Sequence, residues 1–301
     1  MKFKNISLMQ WKRAVFYALF ISMIVIQLVN ADNNIWGNGI DEAYYKDVTQ
    51  RIVNTGTVQG LFETLKDDFE TKTAPFIGLH VVLRMYETKV YARAFNALLI
   101  LIISYLVYDM TKRKESFLIP IIPWFLNSLW LTNEIIEVFF VILAVRFAQF
   151  SGLLIGIGTL FRPWTLFYSV LLKQNQIKYV VMIGMIYVLI LFYYDSFLFY
   201  LYKVFHYSVI AHGFTSGNEP IDWVSILFCG LFLFLGYKTK MFWFGIVSMI
   251  SLSTKLYAHY FVPSMILFYF GYLLQLKIQT QKEETQNVFH NQDVSIQNYK
   301  T

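Results

Sequence analysis

The chain is poor in charge. Asp, Glu, Lys and Arg make up 15% of its 301 residues, against about 25% in a soluble domain, which excludes an ordinary water-soluble globular protein. It has one cysteine, Cys229, inside a hydrophobic stretch. No intramolecular disulfide can form, and cysteine usage carries no information about compartment. P-loop, GxSxG and HExxH patterns are absent, so nucleotide hydrolysis and hydrolase chemistry have no support. His206 and His212 lack the spacing and the carboxylate companions of a metal site. No repeat of fixed period is visible.

What fills the chain instead is apolar. Hydrophobic residues reach 57% and aromatics 19%, with 29 Phe, 21 Tyr and a mean hydropathy of +0.49. Such a composition predicts an all-α polytopic membrane protein, with Phe facing lipid and Tyr at the headgroup level. The formal charge of +6 does not indicate a nucleic-acid partner, because the basic residues gather at the ends of hydrophobic runs. Orientation in a membrane explains that distribution.

The hydrophobic pattern predicts about eight spans, at roughly 13–30, 93–109, 117–132, 135–148, 179–201, 223–237, 241–256 and 258–276. Several are shorter than the roughly twenty residues a straight helix needs to cross the hydrocarbon core. The first, with its basic front end and Val29-Asn30-Ala31, also has the form of a cleaved secretory signal. An uncleaved signal-anchor is preferred because the apolar run is long and the rest of the chain is itself embedded. Residues 1–276 therefore form one membrane domain, and the Gln- and Asn-rich stretch 277–301 is expected to be a disordered cytoplasmic tail.

Short basic loops set the orientation. The N-terminus, Lys112-Arg113-Lys114, Lys173 with Lys178, and Lys238 with Lys240 all belong on the cytoplasmic side. If 151–172 crossed the membrane once, every later basic loop would be misplaced. Arg162-Pro163 interrupts that segment, and proline breaks the helical ladder. The expected path is a broken, re-entrant pair of half-helices, 151–161 and 164–172, that enters and leaves from the cytoplasmic side. The outer face then receives residues 31–92, the turn at Thr132-Asn133-Glu134, the loop 202–222 and the segment near Tyr257 and His259. Within 31–92, Tyr44, Val48 and Ile52 share one helical face before a stop at Asn54-Thr55-Gly56. Phe76, Leu79, Leu83 and Tyr86 share another after Thr73-Ala74-Pro75. Both stretches read as amphipathic helices lying on the membrane plane.

Nine of the 19 carboxylates lie in 31–92, so Asp41 and Glu42 are not unusual by location, and Asp41 has the position of a helix-start residue. Glu134 and Glu137, three residues apart at the outer end of a span, read better on their own as snorkelling interfacial carboxylates. Arg162 is different. An ionised side chain inside an apolar stretch costs about 2.5–3.5 kcal/mol on insertion scales and needs a partner. Two choices stay open: a phosphate, which a guanidinium matches through paired hydrogen bonds, or an intramembrane ion pair, for example with Glu137. Arg93, with Asn96 on its face, and His259, flanked by Tyr257 and Tyr260, are weaker interfacial candidates.

In order along the chain stand Ile40-Asp41-Glu42-Ala43-Tyr44-Tyr45 with Gly56, Thr73-Ala74-Pro75-Phe76, and Tyr91-Ala92-Arg93-Ala94-Phe95-Asn96. Then follow Thr132-Asn133-Glu134 running into Phe139-Phe140, and Gly156-Ile157-Gly158 leading to Phe161-Arg162-Pro163. This succession resembles the GT-C superfamily of integral-membrane glycosyltransferases over about residues 13–172, with a weaker echo at 252–270. The order is also similar to that of the dolichyl-phosphate-glucose-dependent members. This chain is much shorter and lacks their fuller threonine-proline-glycine motif, so no subfamily is assigned.

The resemblance implies transfer of a sugar from a polyprenyl- or dolichyl-phosphate donor to an acceptor (a lipid-linked glycan, a protein or a glycolipid) at the outer or lumenal face. It implies Asp41 as catalytic base, with Glu42, Arg93, Glu134, Arg162 and His259 binding substrate, no metal and no cofactor. The membrane would be the plasma membrane or that of the endoplasmic reticulum. A non-catalytic polyprenyl-phosphate-binding protein and a lipid or solute transporter are the alternatives.

Overall fold

The computed structural model describes residues 89–122, 133–193, 239–249 and 261–298, with isolated helical residues at 17–18, 21–22, 25, 54, 197–198, 201–202, 227 and 230–231. Every regular element among them is helical. Six α-helices are delimited: α1 (Lys89–Thr111), α2 (Asn133–Arg146), α3 (Ser151–Phe161), α4 (Gln174–Tyr193), α5 (Lys240–Ser248) and α6 (Phe261–Asn298). Two longer 3-10 segments accompany them, Lys114–Leu118 and Pro163–Leu171.

Among the described residues, three helices are long and apolar enough to cross a membrane, at Ala94–Thr111, Gln174–Tyr193 and Phe261–Glu283. They match the predicted spans 93–109, 179–201 and 258–276. Their environments differ. The α6 window is 67% buried in protein and the α4 window 17%, so α6 lies at the centre of the described bundle. α4 leaves Val181, Met182, Met185, Ile186 and Leu189 exposed, as an apolar helix in contact with lipid would. Spans predicted at 13–30, 117–132 and 223–237 lie largely outside the described residues, as do the two amphipathic helices of 31–92.

The core forms where α1, α2, α5 and α6 meet. Ile100, Ile103 and Val107 of α1 pack with Ile135, Val138 and Ile142 of α2, and with Val262, Ile266 and Phe270 of α6. α1 ends at Lys112, whose φ of 58° places it in the left-handed region. Its N–H donates to the Tyr108 carbonyl, a backbone form that closes helix C-termini. At that end Asp109 pairs with Lys112 at 2.7 Å and with Arg146 of α2 at 2.9 Å, and Lys277 of α6 donates to the Met110 carbonyl at 2.8 Å. α5 lies antiparallel to α6, since Ser248 meets Ser264 at 2.5 Å while Phe242 contacts Phe268. Lys240 therefore points back toward the end that holds Lys277. Of the basic residues assigned from sequence to one side, Lys112 and Lys240 lie toward this end, where Arg146 and Lys277 join them; the N-terminal lysines and Lys238 lie outside the described residues.

Residues 151–172 follow the expected hairpin, with one difference. α3 rises about 16 Å over its eleven residues. The Pro163–Leu171 segment descends about 18 Å over nine residues. The two legs match in length, and their ends meet where the Gly152 N–H donates to the Gln176 Oε1 at 3.2 Å. Neither leg could cross a hydrocarbon core of about 30 Å. The difference is that the second leg is a 3-10 helix rather than an α-helix, which stretches it enough to return to the level at which α3 began. The close join requires Gly152, because a Cβ there would collide with the Gln176 carbonyl.

The C-terminal stretch also departs from expectation. α6 stays helical through Asn298, where the composition predicted a disordered tail from 277. Gln, Lys and Glu are good helix formers, and a chain already nucleated by the packed half of α6 adds further turns at little cost. Thr280 and Thr285 hydroxyls donate to carbonyls four residues back along the extension.

Candidate functional site

Proline decides the local geometry. The residue before a proline is pushed out of the α region, and Arg162 has φ −146° and ψ 112°. α3 therefore stops at Phe161, and the chain turns at its tip. The Arg162 N–H still donates to the Gly158 carbonyl at 3.0 Å, while the Arg162 carbonyl accepts from Thr165 N–H at 2.9 Å. Gly158 lets the two legs close. A Cβ at that position would lie 2.8 Å from Thr165 Cγ2 and 3.0 Å from Phe140 Cβ.

The Arg162 side chain, 2% exposed, reaches across to α2. Its Nη1 lies 2.6 Å from Glu134 Oε1 and its Nε 2.9 Å from Glu137 Oε2. The two carboxylates share one helical face because they are three residues apart. The ion pair with Glu137 that the sequence left open is present, and Glu134 joins it. Glu137 has a further partner: the Tyr168 hydroxyl donates to its Oε1 at 2.7 Å. Tyr168 stacks on Phe244 of α5 with ring centroids 6.0 Å apart. A polar chain thus runs from α2 to the return leg of the hairpin, and Tyr168 ties that leg to α5 by its ring.

This cluster lies at the far end of α2 from Arg146, and hence at the opposite end from the Asp109 ion pairs. Glu134 is separated from Arg146 by about 18 Å along the helix axis. Placing three ionisable groups inside apolar surroundings requires each to be paired, and the observed geometry does so.

The remaining sequence candidates divide. Arg93 falls in the first turns of α1, at the end opposite Asp109, but its side chain is outside the described residues. Asn96, one turn further, is fully buried. Asp41, Glu42 and His259 lie outside the described residues. Glu134 and Arg162 are in contact. Among the described residues no group of three or more His, Cys, Asp or Glu side chains is arranged to hold a metal ion.

Tyr168 and Thr165 were not singled out from the sequence, although a signal exists. Side chains three apart eclipse one another in a 3-10 helix, and Arg162, Thr165 and Tyr168 follow that spacing. All three are buried, whereas Leu166 and Phe167 between them and Val170 just beyond are exposed. The 3.6-residue period assumed for a half-helix obscures this stripe. Compared with family models, with curated proteins and with solved structures, the chain matches none of them.

Proposed function

We propose that the chain is a membrane glycosyltransferase of about eight spans that moves a sugar from a polyprenyl- or dolichyl-phosphate donor to an acceptor hydroxyl at the outer or lumenal face. Asp41 removes the proton of the acceptor hydroxyl as its oxygen attacks the anomeric carbon. The bond from that carbon to the lipid-phosphate oxygen breaks, the phosphate leaves with the electron pair, and configuration inverts. Glu42 and Glu134 contact sugar or acceptor hydroxyls. Arg162, with Arg93 and His259, meets the charge on the phosphate.

The observation that carries this reading is the Glu134–Arg162–Glu137 cluster at the tip of the hairpin, opposite the basic end. α1 begins at that same end, and the polar segment 31–92 that contains Asp41 runs directly into it in sequence. The test is transfer from labelled polyprenyl-phosphate sugars by membranes containing the full chain. Asp41→Asn is expected to lower the rate about 10²- to 10⁴-fold, the usual contribution of a general base. Equal rates for both proteins would remove Asp41 from that role.

One observation favours a second reading, a transporter. The hairpin tip lies about 16 Å from its base, roughly half the hydrocarbon thickness. Broken helices with ionic groups near the midplane are a feature of transporters. Flux of a lipid or solute that persists in Asp41→Asn, with no sugar transfer by either protein, would favour it.

A further inference from the structure

The two carboxylates on Arg162 are held unequally. Glu137 is completely buried and has two partners, an ion pair with Arg162 Nε at 2.9 Å and the Tyr168 hydroxyl, which donates to it at 2.7 Å. Tyr168 in turn stacks on Phe244. Glu134 is 6% exposed, sits in the first turn of its helix, and among the described residues has Arg162 Nη1 as its ion-pair partner. No tyrosine or serine supports it there. The guanidinium therefore has one edge locked by a supported acceptor and one edge closed by an acceptor that can leave at lower cost.

We propose that Glu134 is an exchangeable place-holder for an anionic phosphate group, and that Glu137 and Tyr168 are positioning residues that hold Arg162 for it. This rests on the glycosyltransferase reading for the identity of the phosphate as a lipid headgroup, but the exchange itself follows from the contacts. A phosphate oxygen takes the position of Glu134 Oε1 on Nη1, a substitution a guanidinium accepts because it binds carboxylate and phosphate with the same fork. While the phosphate is absent, Glu134 keeps the buried charge paired. Once displaced, its carboxylate can accept hydrogen bonds from hydroxyls carried by the ligand. Binding at this edge is thus coupled to release of an acceptor for the sugar.

The exchange predicts opposite signs for two conservative changes. Glu134→Gln keeps the shape and removes the competing charge. Tyr168→Phe keeps the stack on Phe244 and removes the donor that holds Glu137. Binding of inorganic phosphate and of farnesyl monophosphate would be measured by calorimetry on the full chain in one detergent. The dissociation constant is expected to fall about tenfold in Glu134→Gln, and to rise about tenfold in Tyr168→Phe. These are the shifts that a charge-assisted hydrogen bond produces.

A response to farnesyl phosphate alone assigns the site to a lipid headgroup, and a response to both probes assigns it to phosphate in general. Either result supports the exchange. Unchanged or weaker binding in Glu134→Gln overturns it, as does wild-type affinity in Tyr168→Phe, or no binding by wild type and Glu134→Gln alike. Sugar transfer is measured in parallel. Tighter phosphate binding by Glu134→Gln with no transfer by wild type would sink the enzymatic reading and leave the exchange standing. Transfer without the affinity shifts would do the reverse.

Discussion

Removing the guanidinium tests the hairpin most directly. In Arg162→Met a flexible apolar chain replaces the arginine, and Glu134 and Glu137 are left facing one another with no cation from Arg162 between them. Both carboxylates are buried, Glu137 completely. Breaking a buried ion pair from one side costs about 3–5 kcal/mol, because the surviving charge remains desolvated. At 1.4 kcal/mol per tenfold this shifts the folding equilibrium by roughly two to three and a half orders of magnitude. The assay is reversible unfolding of the full chain in mixed micelles, followed by tryptophan fluorescence from Trp164 and its neighbours.

The companion measurement is the triple replacement of Arg162 by Met with Glu134 and Glu137 by Gln. Exchanging a whole buried ion cluster for uncharged groups is often close to neutral, so the triple variant is expected to recover most of the loss. A cost for Arg162→Met below about 1 kcal/mol, the level of an exposed surface pair, would refute the picture of a buried clamp. So would a triple variant as unstable as the single one, since the loss would then come from packing of the arginine stem rather than from unpaired charge.

Two further predictions concern the path of the chain. Gly158→Ala places a methyl group against Thr165 Cγ2 and Phe140 Cβ, an overpacking that costs about 1–3 kcal/mol; stability equal to wild type would mean the hairpin legs are not in contact there. With Cys229 replaced by Ser, single cysteines introduced as Lys112→Cys, Gln174→Cys and Lys277→Cys are expected to react with a membrane-impermeant maleimide from one and the same side. Labelling of Gln174→Cys from the side opposite Lys112→Cys would make 151–172 a crossing segment.

Composition and local chemistry carried much of the architecture. The scarcity of charge and the long apolar runs pointed to helices able to cross a membrane, because a backbone in lipid must satisfy its hydrogen bonds within its own segment, and three such helices stand among the described residues. Pro163 announced the break that frees Arg162 from α3, since the steric rule for the residue before proline needs no tertiary information. The placing of Lys112 and Lys240 at one end, where Arg146 and Lys277 join them, was foreshadowed by the basic loops. The helical extension of α6 past Lys277 was not, because low hydrophobicity reports lack of burial and does not prevent a helix nucleated elsewhere from continuing.

The candidate site was only partly legible. Arg162 stood out because a charge in an apolar run demands a partner, but Glu134, Glu137 and a bound phosphate were all compatible with that demand. Sequence by itself determined that the chain is apolar and its described elements helical, that it breaks at Arg162-Pro163, and that a guanidinium sits at the break. Tertiary structure alone decided that both carboxylates of α2 meet it and that the return leg winds as a 3-10 helix. It also decided that Tyr168 reaches Glu137 from six residues further along. Pairing between groups about thirty residues apart depends on how α2 and α3 fold back on one another at Phe147, through a bend of 116°. Across it the two helices pack closely, as where Gly158 admits Phe140, and contacts between segments distant in sequence leave no local signature.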